Sequence, residues 1–157
     1  MSNNFLFTGR SPIIHAMSLK TQNSAVITLE HDPSMIRKIL LDISNLSTWN
    51  PAFSNIEPED SDGAHSVTVR SLLKGKLTYT QPSPDVITFH IEIPGLTEES
   101  TFTLTPDPRG TTVAHTINQH GVLTAIIGDH EASLVPHKRL TRLAQTLNNP
   151  SPHDIPS

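Results

Sequence analysis

The stretch DPSMIRKILLDISNLSTWNPAF, Asp32 to Phe53, decides the fold. Asp32 suits the N-cap of a helix, and Pro33 suits its first turn, where a missing N–H costs nothing. Met35, Ile36, Ile39, Leu40 and Ile43 recur at helical spacing, which predicts an amphipathic helix. Ser44 or Asn45 can cap a second short turn, LSTW, which Pro51 ends. After Pro51 the apolar period changes to two and stays there for about seventy residues. Two short helices therefore separate an initial segment from a long run of strands.

That initial segment holds SAVITLEH, residues 24–31, in which Ala25, Ile27 and Leu29 alternate with Val26, Thr28 and Glu30. It is a strand with one buried face. Beyond the helices the chain reads AFSNIEPED, then AHSVTVRSLL after the turn DSDG, then GKLTYTQ after Lys74-Gly75. DVITFHIEI sets Ile87, Phe89, Ile91 and Ile93 on one face. EESTFTLTPD turns Phe102 and Leu104 inward, and TTVAHTINQHG comes after the turn PRG. Consecutive strands joined by short turns predict an antiparallel meander.

The chain then turns helical in VLTAIIGDHEASLVPHKRLTRLAQTLN. Leu123, Ile126, Ile127 and Leu134 form one apolar stripe, and Leu140, Leu143 and Leu147 form a second, rotated one. Pro136 between them predicts a kink or restart. The whole reads as an α+β domain: a curved antiparallel sheet of about six to seven strands wrapped around a long C-terminal helix. Strands rich in Thr, Ser, Ala and Val, with Phe, Trp and Tyr at only 4% of the chain, favour an internal cavity. We divide the 157 residues into an N-terminal extension (1–22), the domain (23–148) and a disordered tail (149–157). Met17 is an alternative start to Met1.

The totals exclude several classes. The chain has no cysteine, so disulfides, thiolate chemistry and Cys-based metal sites fall away, and a reducing cytoplasm fits. Eleven Lys plus Arg and a formal charge of −4 give no footprint for nucleic acid. No apolar run approaches the ~20 residues of a membrane span, so stable membrane insertion is not expected. No glycine-rich nucleotide loop occurs, and no H-x-x-x-H pair, so neither a cofactor nor a metal is expected. EPED and EES look like turn and strand-edge charges rather than a catalytic dyad.

The order of elements resembles the START-like, Bet v 1-like superfamily, with its helix-grip fold. The resemblance is strongest to the bacterial polyketide cyclase/dehydrase and lipid-transport group. HDPSMIRKILLDISNLSTWNPAF is similar to that family's strand–helix–helix opening, and Gly121 with the adjoining VLTAIIGDHEASLVPHKRLTRLAQTL is similar to its ending. The resemblance covers about residues 24–148. It implies that Trp49 and Phe53 border a cavity mouth, where they plug the helix–sheet junction or touch a ligand.

Within that frame, His115 is the leading catalytic candidate. It shares a face with Val113, Ile117 and Gln119, so if these point inward, so does the imidazole. There it either orients a ligand, moves a proton, or is hydrogen-bonded internally. Tyr79, on a face with Leu77 and Gln81, is the second catalytic candidate or a cross-strand packing residue. Phe89, Phe102, Gln119, Ile127, His130 and Leu134 complete the expected ligand-binding set. Arg70, Glu30 and Glu92 read as outward charges.

Three functions compete: binding of a small hydrophobic or amphipathic molecule, lipid- or polyketide-like, between sheet and helix; cyclase or dehydratase chemistry using His115 and Tyr79; and a protein-interaction module of the chaperone-activator type. The protein is expected to act as a monomer or homodimer. A closed interior would count against the first two.

Overall fold

The computed structural model describes residues 19–148. The expected extension up to residue 18, both candidate starts and the expected tail lie outside the described residues. Seven strands form one antiparallel sheet: β1 (Lys20–Leu29), β2 (Phe53–Glu59), β3 (His65–Val69), β4 (Leu73–Ser83), β5 (Val86–Ile93), β6 (Leu96–Asp107) and β7 (Gly110–His120). The spatial order is β1-β7-β6-β5-β4-β3-β2, so the meander is sequential and only β1 is displaced, closing onto β7. Helix α1 (Pro33–Leu41) and the 3₁₀ helix η1 (Ile43–Thr48) come directly after β1, as the opening stretch requires. Helices α2 (Val122–Ile127) and α3 (Asp129–Asn148) end the domain. This is the helix-grip architecture. Among the described residues no helix is long and apolar enough to cross a membrane.

Strand β1 begins at Lys20 and pairs there with His120, four residues before the alternating run that predicted it. Its first residues are polar, so hydrophobic period alone does not mark them. Ile36 and Leu40 of α1 and Ile43 and Leu46 of η1 are buried, while Met35 is exposed. The helix thus presents a narrower face than its five apolar positions suggested.

The turn expected at Lys74-Gly75 lies instead at Arg70-Ser71, both with positive φ, closed by the Leu72 amide donating to the Val69 carbonyl (3.2 Å). Nothing in residue type marks that turn, since non-glycine residues seldom adopt this conformation. Gly75 instead lies within β4. A Cβ there would stand 2.1 Å from the Glu92 carbonyl oxygen, so only glycine lets β4 and β5 approach this closely.

The terminal helix breaks at Gly128 (φ +85°), not at Pro136. The Gly128 amide caps α2 by donating to the Thr124 carbonyl (3.1 Å). Asp129 and Glu131 then place negative charge in the first turn of α3, where the helix dipole favours it. The helix runs on through Pro136, which is buried. The break resets the phase, and the inward face of α3 becomes Ala132, Pro136, Leu140, Leu143 and Leu147. The stripe expected to begin at Leu123 and Ile126 is therefore not the buried one, and Ile126 is 77% exposed.

A closed aromatic slot backed by a buried ion pair

Alternation along the strands decides which side chains meet beneath α3. On β7, Thr111, Val113, His115, Ile117 and Gln119 are all buried. On β6 the face of Phe102 and Leu104 continues to Ser100 and Glu98, which are buried too. A carboxylate on such a face needs a partner, because an isolated charge taken from water is very costly. The partner is Arg139 of α3. Its Nη1 donates to Glu98 Oε2 at 2.7 Å and its Nη2 to Oε1 at 3.2 Å, a two-pronged pairing. Ser100 Oγ donates to Glu98 Oε2 (2.5 Å) and accepts from Arg139 Nη1 (3.0 Å). Gln119 Nε2 donates to Glu98 Oε1 at 2.8 Å.

Burial pushes the Glu98 carboxyl up. The Arg139 charge and the hydrogen bonds from Arg139, Ser100 and Gln119 override it and hold the group at about 2. Glu98 is thus ionised at neutral pH, and the cluster carries no net charge. The EES segment, expected to be edge charge, contributes the deepest carboxylate among the described residues.

His115 is 0% exposed and lies flat on Phe102, ring centroids 3.9 Å apart. Burial, reinforced by the Arg139 charge, drives its imidazole down to about 3, against the Thr101 carbonyl and Glu98. It is therefore neutral. Its Nδ1 lies 3.2 Å from the Thr101 carbonyl, which can only accept, so Nδ1 carries the proton and Nε2 is left as an acceptor. Nε2 has no partner among the described residues, and neither does the buried Trp49 Nε1–H.

The chain has one Trp, one Tyr and five Phe, and Phe5 and Phe7 lie outside the described residues. The other five stand together on the concave face. Trp49 meets Phe102 edge-on (5.4 Å, 88°) and Phe89 at a tilt (6.4 Å). A row of rings runs across four neighbouring strands: Tyr79 to Phe89 (6.3 Å), Phe89 to Phe102 (6.0 Å), Phe102 to His115 (3.9 Å). This concentration fills the space that the scarcity of aromatics led us to expect open. The space left is a slot of about 10 Å³, room for one water, walled by Leu46, Trp49, Asn50, Phe53, Leu77, Phe89, Ile91, Ser100, Phe102 and Arg139.

Of the expected residues, Trp49, Phe53, Phe89 and Phe102 line this slot. His115 and Gln119 stand behind it, tied to Phe102 and Glu98. Tyr79 is 41% exposed at the rim. It lies three strands from His115, roughly 14 Å at the usual strand spacing, so the two do not form one proton-transfer pair. Ile127, His130 and Leu134 are absent from the slot, and His130 is exposed in the first turn of α3, because the break at Gly128 turns that face away. Arg139 and Glu98 are the residues missed. Their signal was present: Glu98 shares the period-two face of Phe102, and Arg139 lies three residues after Pro136 and four before Leu143, beside the buried helical stripe.

No family model matches the chain, and no curated protein matches it. Solved structures do. An aromatase/cyclase from Streptomyces sp. R1128 superposes with a TM-score of 0.67 at 11% identity, over 82% of this chain and 94% of that one. A START superfamily protein from Mycobacterium smegmatis gives 0.61 at 11% identity, over 83% and 97%. A conserved protein from Geobacillus kaustophilus gives 0.60 at 17% identity, over 83% and 95%. The chain thus has the START-like fold along nearly the full length of these structures.

Proposed function

We propose that the domain binds a small amphipathic molecule, lipid- or polyketide-like, in the slot between sheet and α3. A slot with room for one water does not admit such a molecule as it stands and counts against this reading, which therefore requires the corner between η1 and β2 to open as the molecule enters. The observation that carries this is an aromatic slot lined by Trp49, Ser100 and Arg139, with the buried Trp49 indole N–H left without a partner among the described residues. A buried donor left unsatisfied costs free energy that a bound oxygen would recover. Such ligands suit a fold shared with a START superfamily protein and an aromatase/cyclase. The lack of cysteine suits a reducing cytoplasm. Acid–base catalysis is a weaker reading, since His115 is held neutral and Tyr79 stands apart from it.

The single tryptophan provides the test, because its indole gives one side-chain signal in a ¹H–¹⁵N spectrum. Titration with 1-octanol or with octanoate should move that signal together with the amides of Phe53, Leu77, Phe89 and Phe102. An unmoved indole at saturating concentrations of both would reject slot binding. A second reading, a protein-interaction module, is favoured by the closed interior and by exposed Leu72, Val122 and Ile126. Shifts confined to those three residues would favour it.

A further inference from the structure

We infer that the segment preceding β1 folds back onto α2, seating Ile13 and Ile14 on the exposed apolar face formed by Val122, Ala125 and Ile126. Among the described residues nothing covers that face: Val122 is 60% exposed and Ile126 77%. The contact is independent of the slot. Any partner protein that binds at Val122 and Ile126 must displace the segment.

Helix α2 carries its polarity inverted. Its one hydroxyl residue, Thr124, is buried, while Val122, Ala125 and Ile126, spaced to share one helical face, are exposed. Single exposed apolar residues are ordinary, but several on one face form a patch of the kind that marks a contact. A helix of six residues does not hold itself together in water, so its neighbours must fix it. The Gly121 amide donates to the Leu19 carbonyl (3.0 Å), and the Leu123 amide donates to the Gly95 carbonyl (3.0 Å). The outer face is thus presented on a fixed support.

The occupant follows from where the chain enters. Leu19, the first described residue, is bonded to Gly121, the residue directly before α2. Because β1 is antiparallel to β7, the chain before Leu19 continues past the end of β7, the same end from which α2 starts. Ile13 and Ile14 are the first adjacent pair of large apolar side chains met going back from Leu19. Five residues of chain reach up to roughly 17 Å, whereas Val122 to Ile126 spans about 6 Å of helix. Arg10 is the only Lys, Arg, Asp or Glu in residues 1–18, and the far end of α2 leads to exposed Asp129 and Glu131. A segment running from Gly121 toward Gly128 brings that cation to those carboxylates. A second copy of the chain fits less well, because a face on a helix about 9 Å long falls far short of the ~1,000 Å² a specific interface needs. The tethered segment needs no such area, since a short link holds it at an effective concentration on the order of millimolar.

Nuclear Overhauser contacts between methyl groups test this in the full chain. The Ile13 and Ile14 methyls should show contacts to Val122 and Ile126 that persist on dilution. In Ile13→Ser combined with Ile14→Ser, the Val122 and Ile126 signals should shift, while that of Val26, exposed on β1, stays in place. Trypsin cleavage after Arg10 should quicken at least about tenfold in that variant, the factor expected when two isoleucines are no longer held on an apolar surface. The methyl contacts of the unsubstituted chain carry the test should the variant misfold. Absence of those contacts, or unmoved Val122 and Ile126 signals in the serine variant, would overturn the inference and leave the face open. Contacts seen only between differently labelled copies would overturn it in favour of a dimer. Val122 and Ile126 signals that move only on adding phosphatidylcholine vesicles would overturn it in favour of a lipid surface.

Discussion

Arg139 Nη1 lies 2.7 Å from Glu98 Oε2, and this contact ties the middle of α3 to β6 through the interior of the domain. Both side chains are largely hidden from water, at 13% and 5% exposure. Removing one partner therefore differs from removing both. Arg139→Met should cost about 3–5 kcal/mol, because Glu98 is left charged and dry. Glu98→Leu combined with Arg139→Met should recover much of that loss. Urea denaturation of the single and double variants checks the cycle, and a double variant no better than Arg139→Met would refute it.

Acid should destabilise the fold in two stages. The His115 value is lowered from 6.5 to about 3, so the unfolded chain binds its proton first. The stability due to its neutral burial is complete above pH 6.5 and declines as pH falls toward 3. Glu98, lowered from 4.5 to about 2, adds a second loss as pH falls from 4.5 toward 2. Each group contributes at most about 1.4 kcal/mol per pH unit within its window. In His115→Phe the dependence between pH 6 and 5 should flatten by about that amount. Unfolding curves measured at these pH values decide it.

Gly75→Ala should destabilise the domain by about 1–3 kcal/mol. The added carbon meets the Glu92 carbonyl and Ile93 Cγ2, at 2.1 and 2.5 Å, so β4 and β5 must separate. Slower-exchanging amides along these two strands should lose protection in hydrogen exchange, while those of β1 and β7 keep it.

The phase of α3 can be tested by two truncations. Leu140→Ala removes a side chain that is 1% exposed and should cost about 2–5 kcal/mol. His130→Ala removes an exposed one and should stay within about 0.5 kcal/mol. Equal costs would mean that His130 is packed, as the first expected stripe placed it, and not turned to solvent.

The architecture was legible because it rests on long periodic signals: the Asp32–Pro33 helix start, a succession of period-two runs and a terminal helix. His115 and Gln119 were legible for the same reason, since period two fixes which of their neighbours share a face. Glu98 was misread because charge usually marks the solvent side, and here one arginine from the terminal helix reverses that rule. Arg139 was missed because it lies beside the expected Leu140, Leu143 and Leu147 stripe without belonging to it, and a charged residue in that position is ordinarily solvated. The closed slot was not legible at all. Composition counts aromatic rings but says nothing of their gathering on one face.

The pairing of β1 with β7 joins Lys20 to His120 across the length of the domain. Such sequence-distant pairing slows folding, because a long loop must close before any contact rewards it. On the ribosome, β2 to β6 can zip as they emerge, but the β6 edge stays open until β7 arrives. Arg139 emerges later still. Until then Glu98 has no counter-charge and is kept in water, so the last third of the chain commits the core to its final packing.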